Sequence, residues 1–275
     1  MDPNHKYCIL IRDPQDEYGE KEAMRELGVY FVESRLYAAG YDVVVGRYSV
    51  LPFYKELEND LLLSETFLIN SFSQFRYISD LGNWYRDLKN ITPFTWSNMQ
   101  EYIASDYEGP VVLKGETNSR RDKWLTHMFA NNKTEAREVY GKLMDDSLIC
   151  HQNIYIRKYE PLKKLIDSVT GMPVPNEWRF FICYGQIIAS GYYWSTYIDD
   201  IVEKKITIEN PPISIIENVI ELVGSNSNFY SIDIAQKENG DWTVIELNEG
   251  QMSGLNGIDR GYFYAQLKNV LENKS

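Results

Sequence analysis

Long apolar runs are missing from this 275-residue chain. Stretches such as Leu61–Leu63 and Val43–Val45 fall far short of the roughly 20 residues a membrane-spanning helix needs. The N-terminus carries no signal-peptide pattern, so no targeting segment is expected. Cysteine is scarce. Cys8, Cys150 and Cys183 are widely spaced, each in an apolar, strand-like setting, with neither a disulfide framework nor zinc-ligand spacing. They read as reduced core residues and favour a cytoplasmic location. Histidine is scarce too: His5, His127 and His151 form no i, i+4 pair and read as structural or surface residues. No Ser-His or Cys-His arrangement for nucleophilic catalysis is visible. Basic residues are in deficit, and the formal charge of −12 argues against an extended nucleic-acid surface, which requires clustered Lys and Arg. A small anion pocket is still allowed. The one basic cluster, Arg120, Arg121 and Lys123, is informative for that reason, although such a run is also what a solvated loop looks like.

What is present is ordinary for a globular protein with a substantial core: 44% hydrophobic and 25% charged residues, with no repeat or low-complexity segment. Residues 7–11 (YCILI) predict a strand. Lys21 to Ala39, with Met24, Leu27, Phe31 and Leu36 on one stripe, predicts a helix ended by Gly40. Asp42–Val45 and Phe67–Asn70 predict two more strands, an α/β alternation over roughly the first 90 residues. Thr92-Pro93 and Glu160-Pro161 suggest lobe boundaries at 1–92, 93–160 and 161–275. The middle lobe reads strand (Pro110–Lys114), polar loop (Gly115–Asp122), helix (Thr134–Met144), strand (Asn153–Arg157). The last begins with a loop-rich passage containing Thr170-Gly171, Pro173 and Pro175. It continues with a hairpin, Trp178–Cys183 and Gln186–Trp194 about Tyr184-Gly185, and a helix after Pro211-Pro212. A second hairpin and a final helix, Asp259–Glu272, close the chain. Antiparallel hairpins make this half α+β.

The second hairpin carries the chemistry. SIDIAQKENGDWTVIELNEG, Ser231 to Gly250, is centred on Asn239-Gly240, the strongest short-range signal for a two-residue turn. That turn sets Asp233 opposite Glu246, with Ile232 and Ile234 facing Leu247 and Ile245 on the other side. Asn248 and Ser231 share the acidic face. Directly opposed acids repel. Two carboxylates and an amide oxygen backed by an apolar face suit Mg²⁺, Mn²⁺ or Ca²⁺ better than zinc. A solvated acidic hairpin fits the pattern alone equally well.

These pieces, in this order, resemble the ATP-grasp superfamily, whose members sandwich ATP between two α+β lobes. The most specific match is Asp233, Glu246 and Asn248, which correspond to the acid/acid/Asn set that holds Mg²⁺ on the ATP phosphates. VVLKGETNSRR resembles the family's strand ending in a phosphate-binding lysine, here Lys114. YIRKYEPL, residues 155–162, resembles the segment linking the lobes beside the adenine, which places Tyr159 and Glu160 there. EWRFFICYGQIIASG resembles the strand carrying a phosphate-contacting arginine, here Arg179. The likeness covers about residues 95–275, with residues 1–92 in the place of the α/β lobe that precedes the grasp. A flap with Arg120 and Arg121 departs from the family's glycine-rich one and resembles a branch of compact bacterial and phage members. A second nucleotide-contacting lysine has only Lys89 as a candidate.

The resemblance implies an ATP-dependent carboxylate–amine ligase using ATP and Mg²⁺ (or Mn²⁺), acting through an acyl phosphate and releasing ADP and phosphate. Lys114 and Arg179 would neutralise phosphate charge, with one of Arg120, Arg121 and Lys123 joining them. Gly254, in the loop Gln251–Gly254, would offer an N–H to a developing oxyanion. Arg157 would contact a substrate carboxylate or pair with Glu177. A kinase, a nucleotide or nucleic-acid end ligase, and a non-catalytic nucleotide-binding module are the alternatives. Partners are then small-molecule or peptide carboxylates and amines. Glu246→Ala is expected to spare the fold, because it removes one of two repelling acids.

Overall fold

The computed structural model describes residues 6–13, 15, 16, 18–50, 52–169 and 171–274. His5 and Thr170, named above, lie outside them. The first lobe runs β1 (Tyr7–Ile11), α1 (Glu20–Glu26), β2 (Phe31–Val32), β3 (Val43–Arg47), α2 (Tyr54–Leu62) and β4 (Phe67–Leu68). Its sheet has the order β2-β1-β3-β4, and every neighbouring pair is parallel. Such a sheet needs cover on both faces. Ile9, Ile11 and Val45 pack into one core cluster, and Cys8, Leu10 and Val44 into another. Cys8, Cys150 and Cys183 are all free.

The single helix predicted over Lys21–Ala39 is wrong. It stops after about two turns because Gly28 takes φ +60°, and the Val29 N–H closes onto the Met24 carbonyl at 2.8 Å. The apolar residues beyond, Phe31 and Val32, pair with β1 instead. Two helices that the alternation did not suggest follow: α3 (Phe72–Ser79), started by a Ser71/Gln74 capping box, and α4 (Leu81–Leu88), capped by Asp80.

The middle sheet comes from β5 (Thr95–Trp96), β6 (Val111–Gly115), β7 (Phe129–Ala130) and β8 (Ile154–Lys158), in the order β5-β8-β6-β7, all antiparallel. Helices α5 (Met99–Ala104), α6 (Trp124–His127) and α7 (Lys133–Met144) accompany it. Leu113, Ile156, Ala136, Val139 and Leu143 form its core. After it, Pro173 and Pro175 hid a two-stranded hairpin, β9 (Lys164–Asp167) with β10 (Pro173–Pro175), because prolines demote a run as strand.

The last sheet has the order β12-β11-β13-β14, built from β11 (Glu177–Cys183), β12 (Gln186–Tyr192), β13 (Phe229–Gln236) and β14 (Trp242–Glu249). Helices α8 (Ile198–Glu203) and α9 (Ile213–Val223) lie between β12 and β13, and α10 (Arg260–Lys274) ends the chain. One face of the sheet, with Phe180, Ile232, Ile234 and Leu247, is sealed by Trp84 and Leu88 of α4 and Ile216 and Val219 of α9. On the opposite face Phe181, Cys183 and Phe229 pack under Phe263 of α10. The remainder of that face is polar.

Asp233 faces Glu246 and Ser231 faces Asn248, as the sequence predicted, but the route there differs. The turn is three residues, Glu238 to Gly240, between Lys237 and Asp241. Gly240 takes φ +91° and Asn239 is not among the positive-φ residues, so the two-residue type I′ turn is ruled out. A bulge between Asp233 and Ile234 then adds one residue on β14, restoring the register, and Ile234 pairs with Val244 instead of Ile245. Two irregularities cancel.

Candidate active site

The polar patch lies where β11, β13 and β14 meet β6 of the middle sheet. Alternation puts Glu177 and Arg179 on one face of β11, and pairing sets Arg179 directly against Asp233. The pair is bidentate: Nε to Oδ1 and Nη2 to Oδ2, both 2.7 Å, with Asp233 fully buried. Asn248 Nδ2 donates to Asp233 Oδ2 at 3.3 Å, which leaves its carbonyl oxygen without a protein partner among the described residues. From β6, Lys114 reaches across to Glu246 Oε1, and Arg121 from the flap donates to Oε2 at 3.0 Å. Arg121 and Arg179 both stack on Tyr193, with guanidinium carbons 4.9 and 4.7 Å from the ring centre.

Burial sets the electrostatics. It works to raise Glu246, but Lys114 and Arg121 outweigh it and hold the carboxyl at about 2. Burial lowers Lys114 despite Glu246. Glu177 goes the other way: burial, with Asp233 nearby, pushes it up to about 7 against the pull of Arg121 and Arg179. Its Oε2 accepts from the Trp194 indole at 2.7 Å, while Oε1 is buried with no hydrogen-bond partner among the described residues.

Of these side chains Lys114, Arg121, Glu177 and Glu246 open onto one cavity, whereas Asp233, Arg179 and Asn248 lie outside its lining. Lys114, Arg121, Glu177, Glu246 and Trp194 line one end, and Tyr159, Glu160, Val112, Trp124 and Met128 the other. Of the basic flap cluster only Arg121 is inside. Arg120 is bidentate to Asp146, at 2.8 and 2.7 Å, and Lys123 lies 4.0 Å from the same carboxylate. Arg157 neither pairs with Glu177 nor stands free. It bonds the Ile245 carbonyl at 2.6 Å and the hydroxyls of Thr92 and Thr95, and burial lowers it to about 10. Gly254 supplies its carbonyl to Arg179 Nη1 at 3.0 Å. The loop before it is pinned: Gln251 accepts from the Gly46 N–H at 2.7 Å and donates to Tyr54 and Glu249, and Arg47 donates to the Gly250 and Ser253 carbonyls.

A family model of the ATP-grasp domain, the third family of its clade, matches residues 99–267, well over half of the chain. The chain belongs to this ATP-grasp family. No curated protein matches it. Solved structures show the fold throughout. An ATP-grasp RimK domain protein from Sphaerobacter thermophilus aligns over 97% of this chain and 95% of its own at 15% identity and TM-score 0.55. The D-cycloserine synthetase DcsG aligns over 96% and 99% at 12% identity and TM-score 0.60. The ATP-grasp ligase PsnB, complexed with the precursor peptide PsnA2 and AMPPNP, aligns over 100% and 98% at 12% identity and TM-score 0.61. At these identities the likeness is one of fold. Among the described residues no helix is long and apolar enough to cross a membrane.

Among the described residues no three His, Cys, Asp or Glu side chains already converge as a metal centre. The donor chemistry nonetheless fits a hard divalent cation. Asp233, Glu246 and the free Asn248 carbonyl are all oxygen donors, and the orphaned Glu177 Oε1 projects from the same sheet face. Sequence reasoning missed Glu177, treating it only as a partner for arginines, and missed the Tyr193-Trp194 pair. The signal was there: an acid two residues before Arg179 must share its face, and aromatics at the end of β12 sit level with it.

Proposed function

We propose that this protein is an ATP-dependent ligase that joins a carboxylate to an amine through an acyl phosphate. The observation that carries the reading is the convergence of Lys114 and Arg121 on Glu246 at one end of a cavity whose other end is largely apolar, with Arg179 on Asp233 in the adjoining strand pair. Asp233, Glu246 and Asn248 would hold Mg²⁺, which would supply positive charge to offset that of the phosphates. Lys114 and Arg121 have their cationic heads at that end already, so exchanging Glu246 for phosphate oxygens needs only local movement. Tyr159 and Glu160 flank the adenine end with Trp124 and Met128. Arg120 and Lys123, held by Asp146, shape the flap instead of touching phosphate.

In the reaction, a substrate carboxylate oxygen attacks the γ-phosphorus and the bond to the ADP oxygen breaks. The amine nitrogen then attacks the acyl carbon, phosphate leaves with the former carboxylate oxygen, and the nitrogen loses a proton. Arg179, fixed by Asp233 and the Gly254 carbonyl, would stabilise the charge on the transferred phosphoryl group. The Gly254 N–H would face the tetrahedral oxyanion. Cleft walls such as Trp194 would exclude water from the acyl phosphate. We also propose the three-lobe division at 92 and 160 for this reaction cycle, with the 93–160 lobe moving against the rest.

The test is incubation with Mg-ATP and pooled ¹⁸O-carboxylates and amines. The reading requires ADP, an amide, and ¹⁸O in the released phosphate. AMP would show adenylation instead, and unlabelled phosphate would remove the acyl phosphate.

A further inference from the structure

A second cavity, of about 790 Å³, lies on the far side of Trp194, which lines both. Its volume is that of a small-molecule site. One wall is Tyr193, Ser253 and Gly254, next to Arg179 and Asp233. The other is the carboxyl edge of the parallel sheet, with Arg12 following β1 and Tyr48 and Ser49 following β3. In the order β2-β1-β3-β4 the connections from β1 and β3 leave in opposite directions, and ligands bind in the crevice that opens there. The location comes from topology. The ligand chemistry comes from charge.

Five charged side chains line this cavity: Arg12, Asp13, Glu20, Arg47 and Arg260. Glu20 and Arg47 satisfy each other in a two-bond pair at 3.0 and 3.1 Å, and Arg47 spends its remaining donors on the Gly250 and Ser253 carbonyls. Asp13 caps the Gln15 N–H at 3.2 Å. Arg12 and Arg260 are different. Arg12 has only the Tyr48 ring, 5.7 Å from its guanidinium carbon, and no carboxylate in ion-pair range among the described residues. Arg260 has none in that range either, although Glu20 is near enough to feel its charge, and among the described residues its Nε is buried with no hydrogen-bond partner. A buried guanidinium donor without an acceptor calls for one from a ligand. Two arginines with spare planar forks select carboxylate or a similar oxyanion over neutral polar groups.

Resting on the ligase reading above, we propose that this cavity takes a substrate with two acidic groups. One carboxylate would be presented at Gly254 for activation, and the other held by Arg12 and Arg260. The source is either a free dicarboxylate, such as a diacid or an acidic amino acid, or paired acidic side chains of a peptide. Both offer the same chemistry, and the experiment separates them.

Calorimetry in the presence of Mg-AMPPNP would compare glutarate and L-glutamate with butyrate and L-glutamine, and a Gly-Glu-Glu-Gly peptide with Gly-Gln-Gln-Gly. The proposal expects at least one diacid probe to bind about tenfold or more tightly than its neutral counterpart, the worth of a charge-assisted bond. Arg260→Gln and the more exposed Arg12→Gln should each remove most of that preference while leaving the affinity for Mg-AMPPNP and the melting temperature unchanged. Arg260→Lys, keeping charge without the fork, should restore only part of it. Selective binding of the free diacids or of the peptide decides the source. Equal affinity for diacids and monoacids, no binding of any diacid, or a preference untouched by both substitutions would overturn the proposal. ADP formation with monoacids as efficient as with diacids would overturn it while leaving the ligase reading standing. Arginine-dependent diacid binding without ADP formation in any amine pool would sink the ligase reading instead.

Discussion

Glu246 has lost the isolation it has on paper. Buried between Lys114 and Arg121, it neutralises two cations that have little access to water. The repulsion from Asp233 expected across the hairpin is relieved, because Arg179 occupies that carboxylate. Glu246→Ala therefore strands a buried ammonium, at about 3–5 kcal/mol, and should lower the melting temperature as well as abolish Mg-ATP binding. This reverses the expectation that the fold would be spared. Glu246→Gln should keep a hydrogen bond and more of the stability while still losing Mg-ATP affinity. Thermal melts beside calorimetry separate the two. Glu177 gives a pH prediction. Its carboxyl is raised from 4.5 to about 7, so the folded state binds the extra proton. Stability from this group is full below about pH 4.5 and falls as pH rises towards 7. Glu177→Gln should flatten that part of the urea-midpoint-versus-pH curve, and an unchanged slope would remove the assignment. At this scale much was legible. Residue type and register named Asp233, Glu246 and Asn248, the family resemblance added Lys114 and Arg179, and the fold brings Lys114 to Glu246 and Arg179 to Asp233. Arg120 and Arg121 could not be told apart, because the tight turn at Arg121–Lys123 decides which one faces inward.

The hairpin of β13 and β14 shows how a right pairing can come from a wrong turn. The Asn-Gly signal located the reversal, but the extra loop residue Glu238 and the bulge at Ile245 are set by packing that no local pattern contains. The bulge turns the Ile245 carbonyl to Arg157 at 2.6 Å. Deleting Glu238 leaves Asn239-Gly240 between the Lys237–Asp241 pair, a favourable two-residue loop, and does not move Asp233 against Glu246. The variant should bind Mg-ATP within a few-fold of wild type. If Glu238 were a strand residue, its deletion would slip the register and send one acid to the other face, abolishing binding. The α1 error has the opposite cause. The stripe from Met24 to Leu36 was real, but Gly28 at φ +60° interrupts it and turns Phe31 and Val32 into a strand. Helices α3 and α4 were invisible because apolar residues such as Ile78, Leu81, Trp84 and Leu88 serve a sheet that begins only at Glu177, far along the sequence.

Over the whole molecule, the first lobe is wired to the hairpin of β13 and β14. Asn70, fully buried after β4, accepts from the Asn228 and Phe229 N–H groups at 2.8 and 3.0 Å, and donates to the Phe229 carbonyl and to Glu249. Asn70→Ala orphans buried groups on both β13 and β14 and should cost about 2 kcal/mol or more, read as a urea-midpoint shift. Residues 93–275 expressed alone should fail to melt cooperatively, because Ile78, Leu81, Trp84 and Leu88 cover the apolar face behind Asp233 and Glu246. The central claim is that the opposite, polar face of this sheet and β6 together form a Mg-ATP site. It is tested most directly by titrating AMPPNP, with and without Mg²⁺, into wild type and an Asn248→Ala variant, since the Asn248 side chain makes only one weak bond, at 3.3 Å, among the described residues. The account predicts that Mg²⁺ tightens wild-type binding by about tenfold or more, and that Asn248→Ala loses most of this gain at an unchanged melting temperature. Nucleotide binding that ignores Mg²⁺, or a gain that survives Asn248→Ala intact, would contradict it.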